Sequence, residues 1–328
     1  MTGPAGRDGD GYSAGAVGRG PGDGSRAVAI GGGHGLSRCL QALTHVVDHV
    51  TAVVTTADDG GSSGRLRELL GVIPPGDLRM ALTALSPRRD LVRLMQYRFA
   101  SGELGGHSLG NLVIVATTDL NSGDIVAALD YVAAVLDARG RVLPCTTHPV
   151  QLSARAGDEE IAGQVAVARS QRIRQVWLEP AAPPATPAAV EAIRRADLVV
   201  LGPGSLFTSI IPNLLVPGIA EAVRAATCPV VLVANLREQP GETEGLDLPA
   251  HVDALIDHAA GIRLSAIVAH RGRPVTDGRP LTVDEAALTR FTSQVVVADV
   301  LDPRGGHEPV KLAVALGRVL RPGRAALG

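Results

Sequence analysis

The densest chemistry in the chain lies in the thirteen residues TTADDGGSSGRLR, 55–67. Asp58 and Asp59 stand side by side, Gly60, Gly61, Ser62, Ser63 and Gly64 follow, and Arg65 and Arg67 close the stretch. Adjacent ionised carboxylates repel unless a cation, a hydrogen-bond donor or an arginine offsets them. Arg65 and Arg67 are near enough in sequence to be that offset. The small residues and hydroxyls present donors to an anion, while the carboxylates suit ligand hydroxyls, a base edge or a divalent ion. The plainer alternative is an Asp N-cap with a surface ion pair, worth ~1 kcal/mol. Two acids and five small residues exceed what such a turn needs.

VAIGGGHGLSRCL puts Gly31, Gly32, Gly33, His34 and Gly35 between an apolar run and a helical pattern. Glycines let the backbone turn sharply and approach a ligand, and the following helix offers free N–H groups to a phosphate. The dinucleotide fingerprint is incomplete, because Arg38 stands at the third glycine position and no ribose-binding acid ends the second strand. An NAD-dependent oxidoreductase is therefore the weaker reading. PPGDLRMAL (74–82) reads as a capped helix start, with Asp77 as N-cap and Arg79 in the first turn. GGHSLGNL (105–112) places His107 and Ser108 before a helix and Asn111 in its first turn. Without a G-x-S-x-G elbow or an acid partner, a Ser–His nucleophile is not expected; a polar helix start against a ligand is.

LGPGSLFTSIIPNL (201–214) supplies Gly202, Gly204, Ser205 and Thr208 after a buried strand. VANLREQPGETEG (233–245) adds Asn235 and a polar turn from Gln239 to Thr243. Four strand-end loops rich in Gly, Ser, Thr, Asp or Asn converge on one crevice if the sheet is parallel, and a nucleotide or phosphorylated ligand is the expected occupant. His148, His251, His258 and His270 lack zinc spacing, so no metal site is expected from them. If the protein depends on Mg²⁺, Asp58 and Asp59 are the expected ligands.

These residues need a scaffold, and the rest of the chain describes one. Apolar residues make up 45% of the 328, which suits an α/β protein. Net charge is −2 and aromatics are 2%, which argues against nucleic-acid binding. Lys311 is the only lysine, so arginine abundance alone says little about anions. Three distant cysteines give no disulfide framework, no run reaches the ~18 apolar residues of a membrane span, and a secretory signal is lacking, so the cytoplasm is the expected compartment. Residues 1–25 read as a disordered Gly-rich tail, and 26–328 as a single domain with a candidate subdomain seam at the Pro-rich stretch 180–187. Strands are expected at 27–30, 50–54, 142–143, 150–152, 176–178, 197–201, 229–234, 265–269 and 294–298. Helices are expected at 36–47, 77–99 in two pieces broken near Pro87, 109–117, 125–136, 188–195, 217–226, 249–258 and 310–320. The alternation predicts a Rossmann-like α/β fold, a mostly parallel sheet with helices on both faces.

GGGHGL, VTTADDGGSSGRLR, PPGDLRMAL, GHSLGNL, LGPGSLFTSIIPNLLVPGI and QPGETEG, in this order, resemble the gluconeogenesis-factor (YvcK-like) family, whose nearest enzyme relatives are the CofD-type 2-phospho-L-lactate transferases of deazaflavin cofactor biosynthesis. The resemblance spans 27 to about 320 and is strongest from 27 to 245. It implies a cytoplasmic CofD-like α/β protein that binds a UDP-activated amino sugar such as UDP-N-acetylglucosamine. It also implies a regulatory role in cell shape and cell-wall synthesis during gluconeogenic growth, with envelope-synthesis proteins as partners. A homo-oligomer is expected. The alternative is a Mg²⁺-dependent transferase of a phospho-lactate-like group, with Asp58 or Asp59 holding the ion. Two departures stand out: His34 replaces a frequent Thr, and Gly306 and Glu308 flank His307 where the family often has Arg and Asp.

Overall fold

Short runs of Val, Ile, Leu and Ala build a parallel sheet that is covered on both faces. The computed structural model describes residues 24–320 apart from 274, 276 and 277. The expected tail over 1–25 lies outside the described residues except for Gly24 and Ser25, and the Ser25 hydroxyl donates to Asp48 at 2.8 Å. The strands are β1 (Arg26–Gly31), β2 (His49–Val54), β3 (Arg141–Pro144), β4 (Gln151–Ala156), β5 (Glu159–Ala162), β6 (Ile173–Glu179), β7 (Leu198–Leu201), β8 (Val230–Val233), β9 (Ala266–His270) and β10 (Val295–Ala298). Seven of them form one sheet in the order β10-β9-β8-β7-β1-β2-β3, with every neighbouring pair parallel. A small antiparallel sheet, β5-β4-β6, is inserted between β3 and the return to β7.

Side chains alternate across the large sheet with the two-residue period of a strand. Val28, Ile30, Val199, Leu201 and Leu232 face one core, which the small sheet fills with Leu152, Ala154, Val176 and Leu178. Ala27, Ala29, Ala52, Val200 and Val231 face the other, beneath helices Gly33–Leu43, Gly76–Leu85, Leu109–Leu120, Ile125–Val135 and Pro309–Leu320. Lys311 anchors the last of these by donating to Asp299 at 2.8 Å and to the Leu301 carbonyl at 3.0 Å. Among the described residues no single helix is long and apolar enough to cross a membrane.

The predicted elements appear with shifted ends, and several short ones were not foreseen. The first helix starts at Gly33, not 36, so the glycines form its first turn, and it stops at Leu43. The Gly60–Gly64 stretch is not a loop: Gly61–Leu70 is a helix. Glycine and serine carry low helix propensity, which hid it. Helix Gln164–Arg169 and the π-helical turn Leu206–Ile210 also emerge only in the folded chain. Strand order reverses between β1 and β7. A crevice opens at such a point beyond the carboxyl ends of the strands, because the two connections leave in opposite directions.

Candidate ligand-binding site

The crevice at that reversal has a volume of about 440 Å³. Gly33, His34 and Gly35 line it from β1, Asp58 from β2, Asp77 from the next helix, and Gly204, Ser205 and Thr208 from β7. Asn235 and Gln239 close the rim beyond β8. The backbone ladder runs right to its edge: Thr55 N–H donates to Gly31 at 3.0 Å and Gly202 N–H to Ile30 at 2.9 Å. The turns after β1 and β7 touch. A Cβ on Gly35 would overlap the Pro203 carbonyl, and one on Gly32 the Asp77 carboxylate. Helix Gly33–Leu43 therefore presents its amino end to the cavity, with Gly32 as N-cap and the Asp77 carboxylate accepting from the Gly33 amide. That end is suited to an anion.

Two carboxylates line the crevice together, those of Asp58 and Asp77. Asp58 accepts from the Gly60 amide at 2.9 Å and from the Ser63 hydroxyl. Burial pushes its pKa up. Burial, and then the Asp58 charge, push Asp77 up to about 7, against an opposing hydrogen bond from the Gly33 amide. Asp77 is not the expected N-cap: Pro75 holds that position, and Asp77 lies in the first turn. Asp59 turns away and accepts from the Val165 amide at 2.9 Å, tying β2 to the small-sheet insertion. Arg65 does not offset the acids either, since it donates to the Gly105 carbonyl at 2.8 Å. Arg67 acts on Asp58 at longer range.

The β7 turn is braced from behind. Asn235 reads both sides of one residue: its Oδ1 accepts from Gly204 N–H at 3.1 Å and its Nδ2 donates to Gly204 C=O at 2.8 Å. Its amide is thus committed to shaping the turn. Gln239 Nε2 holds the Ser205 hydroxyl at 2.6 Å. Glu242, buried, accepts from the amides of Phe207 at 2.7 Å and Thr208 at 3.2 Å. Asn213 ties Gly31 to Ser209 through its Nδ2, at 3.1 and 2.7 Å. Glu242 and Asn213 were missed in sequence, and no local pattern marks them.

The GGHSLGNL residues gather at a neighbouring spot. Ser108 caps helix Leu109–Leu120 by accepting from the Asn111 amide. Ser62 shares a hydrogen bond with His107 Nδ1 at 3.1 Å and accepts from Asn111 Nδ2 at 3.0 Å. Arg79 lies beside them, its stem against Gly110. Ser63, one residue on, instead holds the Gly76 amide at 3.0 Å beside the crevice. His258 is structural as expected: its Nδ1 donates to the Ala254 carbonyl at 2.7 Å and its Nε2 accepts from the Val176 amide at 3.0 Å.

Thr55, Gln164, Ser209, Arg237, Gly306 and His307 also line the crevice. His307 Nε2 donates to the Ala234 carbonyl at 3.1 Å, and burial pushes its pKa down to about 4, so the ring is neutral. Gly306, at φ +83°, borders open space, since an added Cβ would meet nothing within 4 Å. Arg237 approaches the same rim, its guanidinium against Gly305. A larger cleft of about 960 Å³ lies at the amino ends of β1, β2 and β3. It is the poorer candidate, because ligands of an open parallel sheet sit beyond the carboxyl ends of its strands, and this cleft lies at the opposite end.

A doubly wound parallel sheet with paired glycine turns at its switch point defines an α/β protein of Rossmann-like architecture. Comparison with known proteins narrows this. The model of the family described as 2-phospho-L-lactate transferase CofD matches residues 27–301, and the chain belongs to that family. Within it, the relatives are gluconeogenesis factors. That of Bacillus subtilis is 46% identical over 71% of this chain and 74% of its own length. That of Halalkalibacterium halodurans is 41% identical over 80% and 85%. A Mycobacterium leprae protein is 46% identical over 91% and 87%. A crystal structure of a Bacillus halodurans protein superposes with a TM-score of 0.85 at 38% identity, covering 90% of this chain and 99% of that one.

Proposed function

We propose that the crevice binds a nucleotide sugar of the UDP-N-acetylglucosamine type, and that the protein is a cytoplasmic regulator of cell shape and cell-wall synthesis during gluconeogenic growth. The observation that carries this reading is the contact between the turns after β1 and β7 over the amino end of helix Gly33–Leu43. The cavity volume of about 440 Å³ falls within the ordinary range for small-molecule sites. The glycine turns would take the diphosphate, and Asp58 and Asp77 the ligand hydroxyls. Ligand occupancy would control envelope-synthesis partners, with the protein acting as a homo-oligomer. Calorimetry with UDP-N-acetylglucosamine, with and without Mg²⁺, tests the core of this. Saturable binding without product supports it, and a flat titration removes it.

A second reading is a CofD-type transferase, favoured by the two carboxylates, Asp58 and Asp77, that line the crevice. Hard oxygen donors of this kind fit Mg²⁺, which keeps several waters and takes its remaining ligands from phosphates. Among the described residues no cluster of three His, Cys, Asp or Glu could hold a metal alone. Bound Mg²⁺ would neutralise charge on a transferring phosphate-bearing group. Product formation that disappears in both Asp58→Asn and Asp77→Asn would establish this reading over the first.

A further inference from the structure

Arg79 carries its charge on a largely buried side chain. It is 8% exposed, and its Nε lacks a hydrogen-bond partner. No ion pair reaches its guanidinium among the described residues, although Asp77 attracts it at longer range. Burial and then the nearby Arg98 push its pKa down. Gly110 makes room for the stem: a Cβ there would lie 2.7 Å from Arg79 Cδ and 2.6 Å from the Met95 carbonyl.

The surroundings add positive charge rather than removing it. The Arg79 stem crosses the first turn of helix Leu109–Leu120, and Arg79 sits in the first turn of Gly76–Leu85. Ser62, in the first turn of Gly61–Leu70, reaches Asn111 and His107 beside it. Three helix amino ends thus meet here, each carrying positive partial charge. The N-cap residues of Gly61–Leu70 and Gly76–Leu85 make no side-chain cap bond, although the Ser63 hydroxyl accepts from the Gly76 amide at 3.0 Å. Arg65 and Arg98, both exposed, bond the carbonyls of Gly105 and Gly106 and keep further donors at the mouth. An unpaired buried cation among like charges is costly, and an anion removes the cost.

We propose that this cluster is a second oxyanion subsite, with Arg79 as its floor and Arg65 and Arg98 at its rim, and that it takes a phosphate-class group. It lies beside the crevice: Ser62 turns toward it while Ser63 faces the crevice, and Asp77 lines the crevice two residues before Arg79. The assignment stands whether or not a nucleotide sugar fills the crevice.

Inorganic phosphate is the probe, against sodium chloride at equal ionic strength so that screening is constant. Phosphate should shift the Arg79 Nε–H resonance in ¹⁵N NMR saturably, with the signal assigned from Arg79→Met, and should raise the melting temperature. Arg79→Met should weaken phosphate binding at least ~10-fold. It should also raise the melting temperature of the phosphate-free protein, because an apolar chain replaces an unpaired cation. A purely structural arginine would do the reverse. Should Arg79→Met not fold, Arg98→Gln gives the decision: weaker phosphate binding supports the subsite, unchanged binding overturns it. An Arg79 resonance that ignores phosphate also overturns it. A flat UDP-N-acetylglucosamine titration beside a phosphate-responsive Arg79 sinks the crevice reading alone.

Discussion

Two buried titratable residues at the crevice pull stability in opposite directions as pH changes. Asp77 has its pKa pushed up to about 7. Its unfolded value is ~3.9, so the folded protein keeps a proton the unfolded chain has lost, and stability falls as pH rises between those values. His307 is pushed down to about 4. Its unfolded value is ~6.5, so the unfolded chain gains the proton first, and stability is lost as pH falls from there toward 4. The slopes oppose each other over most of that window, and a wild-type melting profile is expected to be shallow. Asp77→Asn should expose the rising limb and His307→Gln the falling one in thermal melts from about pH 4 to 7.5. Sterics give a second residue-level prediction. The Cβ of Gly35→Ala would overlap the Pro203 carbonyl, which is backbone and cannot swing aside. Urea denaturation should show a loss of ~1–3 kcal/mol, as overpacking typically costs, with weaker nucleotide-sugar binding. Asp58, Gly33 and Ser205, singled out in the sequence as Gly, Asp and Ser at strand ends, all line the crevice. Asp77, nineteen residues from Asp58 in sequence, lines the crevice with it, whereas the adjacent Asp59 bonds the Val165 amide.

At the scale of elements, the turn after β7 depends on a residue that follows a different strand. Glu242 accepts the amides of Phe207 and Thr208 and the Thr208 hydroxyl, which ties the π-helical turn Leu206–Ile210 to the loop beyond β8. Glu242→Ala would leave those buried amides unsatisfied and should cost ~2–3 kcal/mol in urea unfolding, with Glu242→Gln losing less. Long elements with clear periodicity were read correctly in type, because each buries one face over several turns. Helices Gly61–Leu70 and Gln164–Arg169 escaped notice: the first begins with residues that favour loops, and the second is six residues long. Tertiary contact stabilises both, the Asp59–Val165 hydrogen bond linking them directly.

Across the whole molecule, ligand binding should act on one rim of the sheet and leave the other unchanged. Hydrogen exchange with and without UDP-N-acetylglucosamine is expected to show protection at 32–36, 58–64, 203–209 and 235–239. No change is expected at 138–141 or 188–195, which border the larger cleft at the amino ends of the strands. Equal protection at both ends would count against the crevice as the ligand site.

Taken alone, the sequence determined that strands and helices alternate, that the sheet is mostly parallel, and that Gly-, Ser- and Asp-rich turns follow the strands. These are local properties, set by side-chain period and backbone freedom over a few residues. Only the tertiary structure decided that strand order reverses between β1 and β7, that Asp77 joins Asp58 at the crevice while Asp59 bonds Val165, and that the Nε of Arg79 is buried without a hydrogen-bond partner. Each depends on which distant segments meet, and no spacing along a single chain encodes that by itself.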